Sequence, residues 1–430
     1  MKCLASIISA VVGVTLVACG GGTETSPTAS PDDSPAVIDL AHKQVPSRIT
    51  GQYSFDGRVK QQVTFDDRDG TAFFEGDIVL GRTKDLVSPT DDREHALGIY
   101  VSGGGRWPNG VLTYETSGAP PSQFASIGTA TRHIAYHSRY VRFSRDEGYA
   151  SMFRDQYNIV HVVPTTDPNL GGSSNVGMFM GGQQLALNPL LSPTDGATAH
   201  EFIHALGAWH EQSRADRDSF VQINSQNIMA GYEGNFTQHI SNGVDHGAYD
   251  YCSLMHYGGY SFSSNGGATI VPLQTFSCQV TTLREEQAVI SYIGQSLGAS
   301  SGDMAMLDYL YSGAPVDRPI AYAGDDQNYP YTCNKVITVT LDGSASRAGN
   351  GAVITKYEWK PKDWYMSPTS GPNPVINNTA AVAQVKLATT LCSSTPYRDP
   401  PPPVVQKYIL KVTDNFGRVM SDVATITFKR

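Results

Sequence analysis

Residues 200 to 210 carry the pattern that most constrains this chain, H-E-x-x-H-x-x-G-x-x-H, whose fixed positions are His200, Glu201, His204, Gly207 and His210. Two histidines four residues apart leave the same face of a helix, one turn apart, so both imidazoles can bind one metal ion. Glycine tolerates the left-handed conformation that ends a helix, after which the chain can turn back. The segment therefore predicts a helix, a turn and a third histidine that approaches the same ion.

The donor set predicts catalytic zinc. Three neutral imidazoles fill three positions of a Zn²⁺ shell and leave the fourth open for water, as a catalytic site requires. Glu201 follows the first ligand, close enough to take a proton from that water. A lone histidine is usually structural or solvated, whereas five fixed residues at these offsets are a specific signal. We therefore predict one Zn²⁺ held by His200, His204 and His210, with Glu201 as the general base.

Composition limits the class of partner. The chain has 430 residues, 40% of them hydrophobic, which is ample for a sizeable core. A chain of this length is expected to form roughly two to three domains. The formal net charge is −9, and there is no basic run. We therefore predict that nucleic acid is not a partner.

The N-terminus predicts export. Residues 1–18 have a charged start at Lys2 followed by an apolar run, typical of a signal peptide and too short to span a membrane. Residues 16–20 read L-V-A-C-G and resemble the bacterial lipobox, which implies lipidation of Cys19 and a membrane anchor. A simple secretory signal with a chance cysteine is the alternative. Residues 19–37 are predicted to be a flexible tether, so the protein would be a cell-envelope lipoprotein or secreted.

Four cysteines remain outside the signal segment and the lipobox, namely Cys252, Cys278, Cys333 and Cys392. They fall as one pair in each of two predicted domains. The simplest pairing in an oxidising compartment is Cys252–Cys278 and Cys333–Cys392. Because no cysteine lies within the histidine motif, a thiolate ligand to the metal is not expected.

The character of the sequence changes along the chain. Residues 38–97 alternate strand-like segments with charged turns and are short for an independent domain. Residues 98–313 mix helical and strand patterns, which predicts an α+β domain. Residues 314–319 have linker chemistry. Residues 320–430 contain short alternating strands, which favour an all-β Ig-like sandwich.

Individual elements follow from local periodicity. Residues 122–136 are predicted to form a helix with Ile127 and Ile134 among its apolar positions. Strands are predicted at residues 111–114, 140–143, 158–163, 181–187, 336–341, 408–412 and 423–428. Of these, the strand at 181–187 directly precedes the motif helix.

The central region resembles a known family. The histidine motif followed by a Met-turn is the metzincin signature. Residues 211–218 (EQSRADRD) continue the pattern of the astacin branch of zinc metalloendopeptidases, and residues 253–257 (SLMHY) resemble its Met-turn. The resemblance covers residues 98–313. It implies a two-lobed α+β metzincin (astacin-like) domain that hydrolyses a protein or peptide substrate.

The resemblance also implies roles for single residues. Met255 would form a hydrophobic base under the metal without coordinating it. Tyr257 would be an extra zinc ligand that swings away to stabilise the developing oxyanion, with a buried structural tyrosine as the alternative. Glu211 would bind the new N-terminus after activation, with an ion pair to Arg214 or Arg217 as the alternative.

Residues 74–77 (FEGD) resemble the family's aspartate switch. This implies that Asp77 occupies the zinc position meant for water and keeps a zymogen latent, with residues 38–97 as its propeptide. Glu75 is the next carboxylate candidate, and Gly-Asp is also an ordinary turn pair. The activating cut is expected between Arg82 and Arg106, and Arg93 is one candidate.

Residues 320–430 resemble a PKD-type Ig-like module through the segments 342–346 (DGSAS), 357–359 (YEW) and 412–417 (VTDNFG). Such a module would bind polymeric substrate or surface material, or would act as a passive spacer. The hypothesis is a secreted, lipid-anchored zinc metalloendopeptidase made as a zymogen. We expect residues 181–187 to present an edge strand to the extended substrate. The alternative is a surface adhesion lipoprotein whose zinc domain is latent or inactive.

Overall fold

A nine-stranded mixed sheet joins the N-terminal segment to the region that carries the histidine motif. The computed structural model describes residues 47–53, 61–87, 105–145, 158–165, 167, 170–179, 181–189, 195–239, 243–314, 318–332, 335–349, 351–362, 375–388 and 404–429. The N-terminal segment supplies β1 (Ser47–Tyr53), β2 (Gln61–Arg68), β3 (Thr71–Phe74), β4 (Ile78–Arg82) and the short helix α1 (Thr83–Val87). The central region supplies β5 (Val111–Glu115), β6 (Arg142–Arg145), β7 (Ile159–Pro164), β8 (Gly172–Ser174) and β9 (Gly182–Leu187).

The sheet order is β1-β2-β3-β4-β8-β9-β7-β5-β6. Strands β1 to β4 form an antiparallel meander, and β4 then pairs in parallel with β8, with Ile78 opposite Ser174. The turn between β3 and β4 is tight because Glu75 and Gly76 are both left-handed, at φ 47° and 85°. This turn carries Asp77 to the end of β8. The N-terminal segment is thus a continuation of the central sheet.

The strands predicted at 111–114, 158–163 and 181–187 are present as β5, β7 and β9, and the strand predicted at 140–143 lies two residues further on as β6. The prediction that residues 181–187 form an edge strand is wrong. Strand β9 lies inside the sheet, parallel to β7 and antiparallel to β8. Its alternating side chains Gln183, Leu185 and Leu187 are buried, a pattern that an interior strand shares with a half-covered edge. The central strand that pairs with the N-terminal segment is β8, because β4 lies directly beside it.

The predicted helix at 122–136 is confirmed as α2 (Phe124–His137), and the motif helix is α3 (Asp195–Leu206). Ile127 and Ile134 are buried on the face of α2 that packs against α3. Both helices cover one side of the sheet and share its apolar core, which includes Leu112, Val160, Leu185, Phe202 and Ile203. His200 and His204 therefore lie on a helix that packs against this core.

After α3 the chain forms a second lobe with little regular structure. It contains two short antiparallel pairs, β10 (Val221–Ile223) with β11 (Ile270–Pro272) and β12 (Cys278–Thr281) with β13 (Gln287–Ile290), followed by α4 (Ser301–Leu310). An aromatic core of its own packs this lobe. The predicted Cys252–Cys278 disulfide is confirmed. Cys333 and Cys392 lie outside the described residues.

The C-terminal region forms two sheets around a common apolar core. One contains β14 (Gln327–Pro330), β20 (Val419–Lys429), β19 (Val404–Asp414) and β16 (Ile354–Pro361); the other contains β15 (Val336–Asp342), β18 (Val382–Ala388) and β17 (Val375–Ile376). The strands predicted at 336–341, 408–412 and 423–428 lie within β15, β19 and β20. Trp359 and Tyr408 are buried between the sheets.

Within the described residues, every helix is too short or too polar to cross a bilayer. The predicted signal peptide, the tether and Cys19 lie outside the described residues.

Candidate zinc site

Three histidine nitrogens converge at the end of α3. His200 and His204 lie on one face of the helix, and Gly207 ends it with a left-handed φ of 114°. The chain then reverses and brings His210 to the same point. The Nε2 atom of His210 lies 3.3 Å from the Nε2 atoms of both His204 and His200.

This spacing fits zinc. Zn–N bonds of about 2.0–2.1 Å at tetrahedral angles place two imidazole nitrogens about 3.3–3.4 Å apart. The observed distances of 3.3 Å are therefore those of nitrogens arranged around one ion. The residues present fit the metal that the sequence predicts.

Hydrogen bonds at the opposite ring nitrogens fix the direction of each imidazole. His200 Nδ1 donates to the carbonyl of Leu254 at 3.0 Å, and His204 Nδ1 donates to the carbonyl of Ala208 at 2.8 Å. His210 Nδ1 donates to the Glu75 carboxylate at 3.0 Å. Because each Nδ1 carries the proton, each Nε2 presents its lone pair to the centre of the site.

The Asp77 carboxylate completes a four-group cluster. Its oxygens lie 3.4, 3.6 and 3.9 Å from the Nε2 atoms of His210, His200 and His204, and one ligand atom from each group lies within 4.8 Å of the others. Among the described residues, Asp77 Oδ1 is buried without a hydrogen-bond partner, which a bound cation would supply. Burial alone would raise the pKa of Asp77, but the neighbouring histidines, His210 first, hold it well below its usual range.

Glu201 is buried beside the cluster, with 3% of the residue exposed, and its Oε2 lacks a hydrogen-bond partner among the described residues. Burial, reinforced by the negative charge of Asp77, raises the pKa of Glu201 well above its usual range. Gly172 makes room for this side chain, because a Cβ at that position would lie 2.7 Å from Glu201 Cγ and Oε1. Gly172 is not predictable from the sequence, because no local pattern marks it.

Comparisons with known proteins agree with this geometry. Residues 102–312 match the family described as Astacin, a family of peptidases. The zinc metalloproteinase nas-4 of Caenorhabditis elegans is 35% identical over 246 residues, which are 56% of this chain and 69% of that protein. The chain belongs to the astacin family. It is therefore a zinc-dependent metallopeptidase, and its three histidines are those that fit the zinc.

Two further relatives are an astacin-like metalloendopeptidase of Mus musculus and high choriolytic enzyme 1 of Oryzias latipes. The mouse protein is 35% identical over 185 residues, which are 43% of this chain and 34% of that protein. The match to the structure of the fish hatching enzyme covers 48% of this chain and 92% of the fish chain, with 32% sequence identity and a TM-score of 0.39. The chain thus spans 69% of the worm relative but only about a third of the mouse one.

Glu75 has a role in this astacin that the sequence analysis did not foresee. It is the next carboxylate candidate after Asp77, but its fully buried carboxylate contacts the outer nitrogen of His210 and accepts hydrogen bonds from His210 Nδ1, His239 Nε2 and Ser213 Oγ. Burial alone would raise the pKa of Glu75, but His239 and His210 outweigh burial and lower it to about 2. Glu75 therefore orients His210 from behind.

Tyr257 also contacts the N-terminal segment. Its hydroxyl donates to the backbone carbonyl of Glu75, and its ring centroid lies 4.6 Å from that of His210. Gln212 holds the Tyr257 backbone N–H at 2.9 Å. In this arrangement the phenol is bound by the segment that carries Asp77.

Met255 is buried in the apolar core that also contains Phe202 and Ile203 of α3, with 2% of the residue exposed. The turn that carries it is anchored on the first turn of α4, because Asp303 accepts hydrogen bonds from Ser253 Oγ at 2.6 Å and from the Leu254 N–H at 2.8 Å. Leu254 in turn holds His200. The predicted Met-turn thus supports one of the three histidines through its backbone.

Glu211 lines a cavity of about 440 Å³ next to the site. Its carboxylate accepts a hydrogen bond from the Asp250 N–H at 2.7 Å and lies 3.5 Å from the Arg214 guanidinium. Burial raises the pKa of Glu211 to about 8, although Arg214 works against this. The carboxyl therefore lies in a pocket where an added positive charge would stabilise its ionised form.

Proposed function

We propose that this astacin is an endopeptidase made as a latent zymogen, in which Asp77 takes the fourth position around the zinc. The observation that carries the proposal is the cluster of one carboxylate and three Nε2 atoms, with a buried Asp77 oxygen that has no hydrogen-bond partner in the described part of the chain. A carboxylate is a good zinc ligand, and it would exclude the water that hydrolysis needs.

Further contacts of the N-terminal segment support latency. The Ser174 N–H donates to the Asp77 carbonyl at 3.1 Å, and Asn175 Nδ2 donates to the Val79 carbonyl at 2.7 Å. Residues 77–79 thus follow β8 with their main chain, where an extended substrate would otherwise add a strand. We propose that residues 38–97 are the propeptide and that the activating cut falls between Arg82 and Arg106.

After the segment leaves, β8 is the strand that we propose binds the substrate. Zinc held by the three histidines would lower the pKa of water and polarise the scissile carbonyl. Glu201 would accept the proton of the attacking water and pass it to the leaving amine, and its position next to the first histidine of the site suits both transfers. Tyr257, released from the Glu75 carbonyl, donates its hydroxyl hydrogen bond to the developing oxyanion.

Activation would also fill the pocket at Glu211. A new N-terminal ammonium in this cavity would pair with the Glu211 carboxylate, whose pKa of about 8 would then fall. This pairing would link the cut to the histidine that precedes Glu211.

We propose that the protein is exported by the signal peptide at residues 1–18 and anchored to a membrane through lipidated Cys19. Residues 320–430 would be a PKD-like Ig-like module that binds polymeric or surface material near the substrate. The described β15 to β20 sandwich supports the Ig-like class. A buried, intact Glu201 beside three histidines supports hydrolysis over the adhesion-protein alternative.

The test uses the purified full chain before and after limited trypsin, with zinc content and cleavage of a denatured protein recorded in parallel. We expect one catalytic zinc per chain and chelator-sensitive activity that develops only after a cut upstream of Trp107. Glu201→Gln should keep the zinc and lose nearly all turnover. Activity of the uncut chain at the level of the cut chain would contradict the zymogen, and near-normal turnover of Glu201→Gln would contradict the role of Glu201.

A further inference from the structure

Two histidines and a glutamate form a second cluster on another part of the catalytic domain. His133 and His137 lie four residues apart on α2, and Glu285 lies in the turn between β12 and β13. The carboxylate spans both rings, with Oε1 at 3.3 Å from His133 Nδ1 and Oε2 at 2.8 Å from His137 Nε2. One ligand atom from each group lies within 4.8 Å of the others.

The histidine pair of this cluster resembles the pair on α3 in its geometry. The ring centroids of His133 and His137 lie 4.6 Å apart, compared with 4.5 Å for His200 and His204. Both pairs use the four-residue spacing that presents two imidazoles on one helical face. A glutamate as third ligand gives the His₂Glu set that binds zinc in other hydrolases.

The cluster is buried on the side of His133 and open to solvent on the side of His137 and Glu285. His133 is fully buried. The nearby Arg132 guanidinium is paired with Asp325 at 3.4 Å. The side chains of His137 and Glu285 remain about a third exposed, at 32% and 37%, so an ion and a water ligand can enter.

The backbone holds Glu285 toward the helix. The residue has a left-handed φ of 64°, which costs energy in a non-glycine residue, and its N–H donates to the Thr282 carbonyl at 2.8 Å. The turn thus directs the carboxylate at α2 before any ion binds. Preorganised ligands lose less freedom when they close on a metal.

We propose that His133, His137 and Glu285 bind a second Zn²⁺, with water in the fourth position. This ion would tie α2, which packs against the motif helix, to the hairpin formed by β12 and β13. The Cys252–Cys278 disulfide already ties the same hairpin to the segment before the Met-turn. The second metal would therefore brace the catalytic domain without touching the reacting atoms.

An ordinary ion pair is the competing explanation, and the chain offers a matched control for it. His161 and Glu115 form a histidine–glutamate pair at 2.7 Å in the same domain. Among the described residues, no third His, Cys, Asp or Glu joins this pair within 4.8 Å to complete a metal site. Substituting His161 removes a histidine and an ion pair of the same kind, but it removes no proposed metal ligand.

The experiment loads the full uncut chain with Zn²⁺, removes loosely bound ion by gel filtration, and counts zinc by mass spectrometry. We expect two zinc ions per chain for the natural sequence and for His161→Ala, but one for His137→Ala and for Glu285→Gln. Added Zn²⁺ should increase the thermal midpoint of unfolding of His161→Ala by more than it increases that of His137→Ala. After limited trypsin, His137→Ala should still cleave a denatured protein, which shows that the remaining ion is the catalytic one.

Two results would overturn the proposal. One is a single zinc in the natural chain, which would leave the cluster as a proton-linked ion pair. The other is two zinc ions in both His137→Ala and Glu285→Gln, which would locate the second ion elsewhere. Far-UV circular dichroism identifies a variant that has failed to fold. If His137→Ala does not fold, the zinc count of Glu285→Gln, a change at a partly exposed position in a turn, decides between the two explanations.

Discussion

Glu75→Gln tests most directly how the N-terminal segment (residues 47–87) is held on the zinc site; we call these contacts the latch. Glu75 lies in this segment and hydrogen-bonds the metal ligand His210. The carboxylate accepts three hydrogen bonds, from His210, His239 and Ser213, in a fully buried position. Glutamine keeps the shape of the side chain but has one carbonyl oxygen and turns an N–H group toward these donors. At least one buried donor would then lack its acceptor.

The structure allows the size of the effect to be worked out in two ways. An orphaned buried donor costs about 1–3 kcal/mol, and the lost charge weakens the other bonds. The surroundings also lower the Glu75 pKa from 4.5 to about 2, which corresponds to about 3 kcal/mol in favour of the charged form. A weakening of about 3 kcal/mol raises the population of the open segment by roughly 100-fold.

The assay measures the peptidase activity of the uncut chain, verified as intact on a gel, as a fraction of its activity after trypsin. Glu75→Gln should raise this fraction by roughly 100-fold. Once the segment is cut away, the variant and the natural enzyme should be identical, because the substituted residue leaves with the segment. This isolates the latch from the catalytic machinery.

The matched control is Asp85→Asn in α1 of the same segment. Asp85 pairs with Arg82 at 2.8 Å, but the two side chains are 35% and 70% exposed, and a pair of this kind contributes at most about 1 kcal/mol. Asp85→Asn should leave the uncut chain as latent as the natural one. If the uncut Glu75→Gln chain is no more active than Asp85→Asn, the buried carboxylate does not hold the segment and our reasoning fails.

Two further predictions concern the catalytic base and the activation pocket. Gly172→Ala should lower kcat of the cut enzyme by roughly tenfold or more with zinc content unchanged, because the new methyl group displaces Glu201, whereas Gly171→Ala, which meets no atom within 4 Å, should be neutral in the same assay. The raised pKa of Glu211 means that its folded state favours the protonated form, so the contribution of Glu211 to the stability of the uncut chain is fully present below pH 4.5 and is lost as pH rises to about 8. Urea unfolding of Glu211→Gln should lack this fall, and an equal fall in both chains would contradict the assignment.

The sequence was sufficient for the elements whose determinants are local. The metal helix, its glycine end and the third histidine follow from residues 200–210, because the spacing and the helical geometry belong to one segment. The α2 helix follows from the spacing of its apolar residues. Asp77 was predicted through a four-residue resemblance, and the structure brings its carboxylate to the histidines across 123 positions of chain (200 minus 77).

The parts that the sequence could not predict depend on distant partners. Gly172 is required by the side chain of Glu201, and nothing near residue 172 reports that contact. Strand β9 has the alternation of an edge strand, but its neighbours on both sides come from separate segments. Glu75 was recognised as a carboxylate, whereas its bonds to His210 and His239 join residues 135 and 164 positions away.

Gly76 explains how one short turn can provide two carboxylates with different tasks. Its φ of 85° reverses the chain between Glu75 and Asp77, so one carboxylate reaches Nδ1 of His210 and the other faces its Nε2. A side chain is excluded there, because a Cβ on Gly76 would lie 2.9 Å from the ring of Phe262. The segment thus contacts both nitrogens of the His210 imidazole, Nδ1 through Glu75 and Nε2 through Asp77. In the proposed zymogen, the same turn would block the metal and orient one of its ligands.

This coupling has a consequence for activation. In the activation that we propose, departure of the segment would remove Asp77 from the zinc position and, in the same event, the acceptor of the His210 Nδ1–H. A buried N–H without an acceptor costs about 1–3 kcal/mol, so either water or a rearranged neighbour must replace the Glu75 carboxylate in the cut enzyme. Ser213 donates to Glu75 and lies three residues from His210, which makes its hydroxyl oxygen a nearby replacement acceptor. The proposed cut would therefore do more than uncover the metal, because water or a residue of the second lobe would also have to supply the hydrogen bond that orients the third histidine.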